Sequence, residues 1–151
     1  MSPTAHIIIS AGAGAALAQW IHSPEAGFAC FLGGVLIDLD HPIDYYIGRK
    51  KIPSTIAEIM DFYHPRQKGK LHILFHSYEL FVMLWVATYF LKLGGIWLGL
   101  LSGATLHLIC DQIYNPLKPL GYFFTFRLVS GFEKRKLYRD DFYEKHVNLS
   151  F

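Results

Sequence analysis

The chain has 151 residues, enough for one domain with a substantial core, and 52% of them are hydrophobic. Charged residues make up 17%, well below the roughly 25% of an ordinary soluble domain. A formal net charge of +2 is too small to indicate a nucleic-acid-binding protein, and two cysteines, Cys30 and Cys110, indicate no disulfide framework. The N-terminus lacks the basic stretch of a cleaved signal peptide.

Four apolar segments predict four helices, at about residues 5–22, 24–39, 71–91 and 95–114. The second segment opens with Ser23 as the N-cap and Pro24 at the first helical position. Pro42 predicts that this helix ends near His41, because proline disfavours helical backbone at the residue before it. The run Lys92–Gly95 separates the third and fourth segments and predicts a turn, so these two helices should form an antiparallel hairpin.

The remaining chain is polar or mixed. Residues Tyr45 to Lys70 form a basic loop, with a short helix predicted at Ser54 to Tyr63. Residues Leu120 to Phe151 form a basic, aromatic C-terminal tail, with a short surface helix predicted at Phe132 to Glu144.

The basic residues are distributed unevenly along the chain. If four helices run up and down, 13 of the 14 Lys and Arg residues lie on the side of the termini, and only Lys92 lies on the other. This bias is typical of membrane proteins with both termini in the cytoplasm. We therefore predict an all-α, up-and-down four-helix membrane bundle, as a single domain of residues 1–151. Buried helices of a soluble core are the alternative.

Side chains that commonly bind metals recur near the predicted cytoplasmic helix ends. His72 and His76 are four residues apart, as are His107 and Asp111, so each pair would share one helix face. Carboxylates at the end of the second helix would oppose the helix dipole and require a cation. The predicted metal ligands are His6, Asp38, Asp40, His41, His72, His76, His107 and Asp111. The predicted cofactor is a divalent metal, with Zn preferred and Mn or Fe as alternatives.

Each candidate also has a simpler interpretation. Asp38 and Asp40 would then mark the end of a helix that enters a polar loop. His72 and His76 would be histidines at the membrane–water interface. His107 and Asp111 would form a buried hydrogen bond with each other. Ser77 lacks the surroundings of a nucleophile, and His64 is a weaker ligand candidate. His22 and His146 are predicted to be structural.

Several of these motifs resemble a known family. Three stretches look like the motifs of bacterial inner-membrane-associated metal-dependent hydrolases. They are Asp38-Leu39-Asp40-His41, Phe75-His76-Ser77, and the spacing from Gly103 through His107 to Asp111. This family is of SOS-regulated type and is distantly similar to zinc-dependent phospholipase C. Thr4-Ala5-His6 stands where the family has Thr-His. Ile37 replaces the family's proline, Phe75 replaces its threonine, and His72 departs from its usual spacing. The resemblance implies a multi-pass protein of the bacterial inner (cytoplasmic) membrane.

Two functions follow as hypotheses. The first is a metal-dependent hydrolase that uses a metal-activated water on a phosphoester, such as a phospholipid headgroup, with Asp40 or Asp111 as general base. Arg49, Lys50 and Lys51 would hold the anionic headgroup of a membrane lipid, although they also serve to set topology. The second is a small non-catalytic membrane protein whose structural metal joins helix ends.

Overall fold

The computed structural model describes residues 2–147. These residues form helices and no strand, so the all-α class is confirmed. The helices are α1 (Pro3–Trp20), α2 (Pro24–Leu36), α3 (Asp40–Arg49), α4 (Ile56–Phe62), α5 (Tyr78–Phe90), α6 (Gly95–Tyr114), α7 (Phe124–Val129), α8 (Lys134–Leu137) and α9 (Asp140–Val147). Short 3-10 turns cover Ile37–Leu39 and Pro119–Tyr122.

The described residues divide into two compact units. The first runs from the N-terminal region to Asp38 and resumes at Tyr78–Asn115, so it contains α1, α2, α5 and α6. The second comprises Leu39–Ser77 and the described residues from Pro116 onward, with α3, α4, α7, α8 and α9.

In the first unit, α2 packs against both α1 and α6 through small residues. Gly99 and Gly103 lie four residues apart on α6, against the backbone carbonyls of Ala26 and Cys30. A Cβ atom built on Gly103 would lie 1.8 Å from the Cys30 oxygen, a distance that no side chain can occupy. Small residues at this spacing allow helices to approach closely. The contact brings His107, one turn beyond Gly103, toward the C-terminal end of α2.

The predicted hairpin is present, although its first helix is shorter than expected. A turn at Lys92 joins α5 to α6, and the indole Nε1 of Trp85 donates a hydrogen bond to Thr105 Oγ1 at 3.0 Å. Helix α5 begins at Tyr78, whereas the sequence predicted a helix from about residue 71. The start of α2 is as predicted, with the Ser23 hydroxyl accepting a hydrogen bond from the Ala26 amide.

The second helix ends at Leu36, near its predicted end at about residue 39, but the helix break expected at Pro42 was wrong. After the turn at Ile37–Leu39 the chain enters α3, with Pro42 in its first turn. Proline is tolerated there because its missing amide hydrogen would have had no helical partner. Asp40 therefore stands at the start of a helix rather than at the end of one.

The second unit is built from short helices around a mixed core. Phe62, Leu71, Tyr122, Leu137 and Tyr138 are each less than 5% exposed. Helix α4 lies within the predicted Ser54–Tyr63 segment and is capped by Thr55. The single helix predicted at Phe132–Glu144 is instead two, α8 and α9, separated by a short break.

Within the part of the chain that the structure describes, two helical stretches are long and apolar enough to cross a membrane, Pro24–Arg49 and Gly95–Tyr114, each with a mean hydropathy of 1.3. Helix α5 is apolar but has only 13 residues, fewer than the roughly 17–25 that a spanning helix needs. A four-helix membrane bundle is therefore not confirmed.

Candidate metal centre

The first unit brings four of the predicted ligands together. His6 Nε2 lies 3.0 Å from Asp111 Oδ1. His107 Nε2 lies 3.3 Å from Asp38 Oδ1 and 3.5 Å from Asp111 Oδ2. His6, His107 and Asp111 are each less than 5% exposed, whereas the Asp38 side chain is 33% exposed. We refer to these four residues as the first cluster.

The orientation of His107 indicates that a positive charge belongs in the first cluster. Its Nδ1 donates a hydrogen bond to the Gly34 carbonyl oxygen at 2.7 Å, so Nδ1 carries a proton. The other ring nitrogen, Nε2, faces two carboxylates that repel its lone pair. A second proton or a bound cation must therefore lie between Nε2 and these oxygens. A backbone carbonyl on Nδ1 is the usual support for a histidine that binds a metal through Nε2.

The distances within the first cluster fit a coordination sphere. Ligand atoms at about 2.0–2.2 Å from a metal lie roughly 3.0–3.4 Å from one another in octahedral or tetrahedral geometry. The separations of 3.0, 3.3 and 3.5 Å lie close to this range. Asp38, His107 and Asp111 each offer a ligand atom within 4.8 Å of the others, so they could hold a metal ion.

The second unit holds another group of this kind, Asp40, His41 and His76, which we call the second cluster. Asp40 Oδ1 lies 2.9 Å from His41 Nδ1, and Asp40 Oδ2 lies 3.1 Å from His76 Nδ1. The backbone amide of Phe75 also donates to Asp40 Oδ2 at 2.9 Å. The ligand atoms lie within 4.8 Å of one another, so this group could also hold a cation.

Asp44 was not among the ligands predicted from the sequence, and it lies one turn after Asp40 on α3 with 2% of its surface exposed. Its Oδ1 accepts hydrogen bonds from the His72 amide at 3.0 Å and from His72 Nδ1 at 2.9 Å. Its Oδ2 accepts a hydrogen bond from the Tyr63 hydroxyl at 3.0 Å. Burial raises the pKa of Tyr63 above its usual range, and the charge of Asp44 raises it further, so the hydroxyl stays protonated and donates. The four-residue spacing of Asp40 and Asp44 was the available signal.

Two buried cations support the second unit and were also missed. The Arg127 guanidinium is fully buried and donates hydrogen bonds to the carbonyls of Ile73 and His76. Lys134 is 2% exposed, and its ammonium contacts the Phe62 carbonyl and ring. Burial lowers the pKa of Lys134 to about 8. The sequence analysis counted both residues only among the basic charges of the C-terminal tail, whereas in the structure both are buried.

The structure corrects two arguments about the ligands. His72 and His76 do not share a helix face, because residues 71–77 are not helical. Their backbone amides and carbonyls bond to Asp44 and Arg127 instead of to a helical neighbour. The helix-dipole argument for Asp40 was also wrong, since a carboxylate in the first turn of α3 is favoured by the dipole. The same-face placement of His107 and Asp111 on α6 was correct.

The other candidates lie at the surface or outside the clusters. Arg49, Lys50 and Lys51 are exposed at the end of α3, where Arg49 donates a hydrogen bond to Gln67 and Lys51 lies 3.7 Å from Glu58. Their role in substrate binding stays a prediction. His22 is exposed at the break after α1, and His64 contacts the ring of His146 in the second unit.

No family model, curated protein or solved structure matches this chain. The resemblance to the inner-membrane hydrolases therefore stays a prediction, and the functional argument depends on the clusters themselves.

Proposed function

We propose that this protein is a metal-dependent hydrolase of the bacterial inner membrane that acts on a phosphoester, such as a phospholipid headgroup. The observation that carries the proposal is the orientation of His107, whose Nδ1 donates to the Gly34 carbonyl while Nε2 faces Asp38 and Asp111. A divalent cation bound there would compensate the charge of both carboxylates while the imidazole of His107 stays neutral. Such a cation activates water and polarises a phosphoryl oxygen.

The partial exposure of Asp38 supports a catalytic metal. A structural zinc is normally enclosed by its protein ligands, whereas a catalytic metal keeps one position open to water or substrate. Asp38 leaves a third of its side chain accessible beside three buried ligands. A bound ester would approach from this side, and Asp111, which contacts both histidines, is the candidate general base.

The surface of the first unit supports placement in a lipid bilayer. Large apolar side chains on α5 are at least half exposed, namely Val82, Met83, Val86, Tyr89 and Phe90. Apolar exposure on this scale marks a surface that contacts lipid or another protein. With the two stretches long enough to span, it favours multi-pass insertion, with the basic loop and both termini in the cytoplasm.

A structural metal is the second candidate function. The first cluster offers four donor residues, which is the number that closes a tetrahedral zinc site. Such a metal would join α1 and α6 to the turn at Ile37–Leu39 and would need no substrate.

One experiment distinguishes the two functions. The detergent-purified protein is stripped of metal, reloaded with Zn or Mn, and assayed for thermal stability and for hydrolysis of p-nitrophenyl phosphate, bis(p-nitrophenyl) phosphate and phospholipid. Turnover that returns with the metal and is lost in His107→Gln supports the hydrolase. Restored stability without turnover on any ester supports the structural metal, and the absence of metal uptake contradicts both. His22→Asn, which removes a histidine outside the clusters, is the matched control.

A further inference from the structure

Helix α3, in the second unit, has its polar and apolar sides reversed from those of an ordinary surface helix. Its three buried residues are Asp40, Asp44 and Tyr45, two of them carboxylates. Its outer side carries Ile43, which is 51% exposed, and Ile47, which is 39% exposed. On a surface helix of a soluble domain the apolar stripe faces the core and polar residues face water. The outer side of α3 is therefore suited to an apolar environment.

The exposed apolar residues in this part of the chain recur at intervals of four. One row runs along α3 and the turn before it, and the other runs along α4 and the loop before it. Residues four apart on a helix share a face, so the helical members of each row lie side by side. Apolar residues grouped in this way mark a surface that contacts lipid or another protein. The first row is Leu39, Ile43 and Ile47, and the second is Ile52, Ile56 and Met60.

The length of α3 determines how such a helix can meet a bilayer. The 3-10 turn at Ile37–Leu39 separates α3 from α2, and α3 has 10 residues, which span about 15 Å. The hydrocarbon core of a bilayer is about 30 Å thick, so α3 cannot cross it. A helix that is apolar on one side only lies along the interface, with that side buried about 5–10 Å deep.

The charges next to α3 favour lipid over a protein partner. Arg49, Lys50 and Lys51 are exposed and lie between the two apolar rows in the sequence. Lys51 lies 3.7 Å from the carboxylate of Glu58, whereas Arg49 donates to the neutral amide oxygen of Gln67, a bond that leaves its charge in place. Basic residues beside an apolar surface attract the headgroups of anionic lipids. An apolar strip with a basic end therefore matches an anionic bilayer surface.

We propose that the outer side of α3, with the row Leu39, Ile43 and Ile47, docks on the surface of an anionic lipid bilayer, where the basic residues 49–51 contact the headgroups. These lipids form a docking surface and are not the substrate. The contact requires neither a metal nor turnover, so it is independent of hydrolysis. It extends the membrane placement of the first unit to a helix of the second.

Spin labels on the full chain in nanodiscs of phosphatidylcholine and phosphatidylglycerol measure the position of α3. The labels are attached at Ile47→Cys, at Val82→Cys on α5 and at Lys68→Cys, all exposed positions, after Cys30→Ala and Cys110→Ala remove the native thiols. Oxygen concentrates in lipid and a nickel chelate stays in water. Oxygen should relax the labels at Ile47 and Val82 more strongly than the chelate does, and the order should reverse at Lys68.

Photo-crosslinking gives a second measurement that keeps the native cysteines. A benzophenone side chain at Ile47 should form adducts with lipid, and phosphatidylglycerol should be enriched in these adducts by about fivefold or more over its share of the nanodisc. Fivefold is the factor that one basic residue near an acidic surface supplies. The combined change Arg49→Gln, Lys50→Gln and Lys51→Gln should remove the enrichment.

Each other outcome overturns a defined part of the proposal. A label at Ile47 that resembles the one at Lys68, while Val82 lies in lipid, overturns the docking of α3 and leaves the membrane placement of the first unit intact. Labels at Ile47 and Val82 that both lie in water overturn the membrane placement as well. Adducts with a second copy of the chain overturn lipid as the occupant, and adducts without enrichment overturn its anionic character.

Discussion

His6 and His107 stack face to face, with ring centroids 3.6 Å apart and ring planes 13° from parallel. Two imidazolium rings at this distance would repel each other, so the contact favours at least one neutral ring. With at most one imidazolium in the pair, the negative charges of the Asp38 and Asp111 carboxylates are not fully compensated. The stacking is therefore a further reason to expect a bound cation in the first cluster.

The first prediction concerns the metal ligands. Asp111→Asn keeps the shape of the side chain but removes the charge that faces His6 and His107. Loss of a residue that only hydrogen-bonds to a metal ligand lowers metal affinity by roughly 10- to 100-fold. Because Asp111 would bind the metal itself, we expect Zn affinity to fall by more than this. Metal titration of the stripped protein measures this, with His22→Asn as the control. Unchanged affinity in Asp111→Asn would place the metal elsewhere.

The second prediction concerns Arg127. Its guanidinium donates to the carbonyls of Ile73 and His76, which lie in the segment that carries His72. Arg127→Met leaves two buried carbonyls without this donor, at a cost of about 1–3 kcal/mol each. We expect a lower melting temperature and faster hydrogen exchange in residues 71–77. Arg135→Met, at an exposed position of α8, is the matched control, and equal stability of the two variants would contradict the role of Arg127.

The sequence predicted those features that depend on neighbouring residues. The start of α2 at Ser23 and Pro24 and the turn before α6 follow from local backbone preferences. The pairing of His107 with Asp111 follows from helix periodicity alone. All three features lie in the first unit.

The errors come from contacts between distant parts of the chain. Residues 71–77 are apolar enough for a helix. However, Asp40, Asp44 and Arg127 form hydrogen bonds with backbone amides and carbonyls of this segment, which a helix would have paired internally. These partners lie roughly 30–50 residues away in sequence, beyond any local pattern. Asp44 was missed for the same reason, because its role depends on Tyr63 and His72 rather than on its neighbours in α3.

The third prediction concerns helix packing. Gly103→Ala places a Cβ atom 1.8 Å from the Cys30 carbonyl oxygen, so α2 and α6 must separate. We expect a loss of about 1–3 kcal/mol or more in stability, as for other overpacked interiors. Gly12→Ala is the matched control, since nothing lies within 4 Å of its added methyl group. Denaturation in detergent should show a destabilised Gly103 variant and a Gly12 variant at least as stable as the wild type.

The fourth prediction is a dependence of stability on pH. Burial lowers the pKa of Lys134 from 10.5 to about 8, so the folded protein releases this proton before the unfolded chain does. Between these values the unfolded chain binds more protons, and stability therefore rises with pH. The slope from one proton is at most about 1.4 kcal/mol per pH unit.

Comparison with Lys134→Met isolates this effect. From about pH 8 to 10, the stability of the wild type relative to the variant should increase, while below this range the difference should stay constant. Lys68→Met, at an exposed position, should show no such trend. A flat difference for Lys134→Met would mean that the buried ammonium carries no desolvation cost.

The fifth prediction concerns topology. Reporter fusions at Gly94, in the turn before α6, should be periplasmic, and fusions at Lys51 and at the C-terminus should be cytoplasmic, because the basic residues are concentrated away from the turn. Fusions at Gly94 and Lys51 that report the same side would contradict this arrangement. A protein that stays monomeric and soluble without detergent would contradict membrane insertion altogether.

Gly34 connects helix spacing to the chemistry of the first cluster. Its carbonyl accepts the Nδ1 proton of His107, and a Cβ atom at this position would lie 2.2 Å from Ser10 Oγ and 3.3 Å from the Gly103 oxygen. A side chain here would push α1 away and carry the carbonyl off the imidazole in the same movement. Natural variation at position 34 should therefore be limited to glycine wherever the metal is retained, and a larger residue there would mark a homologue that has lost it.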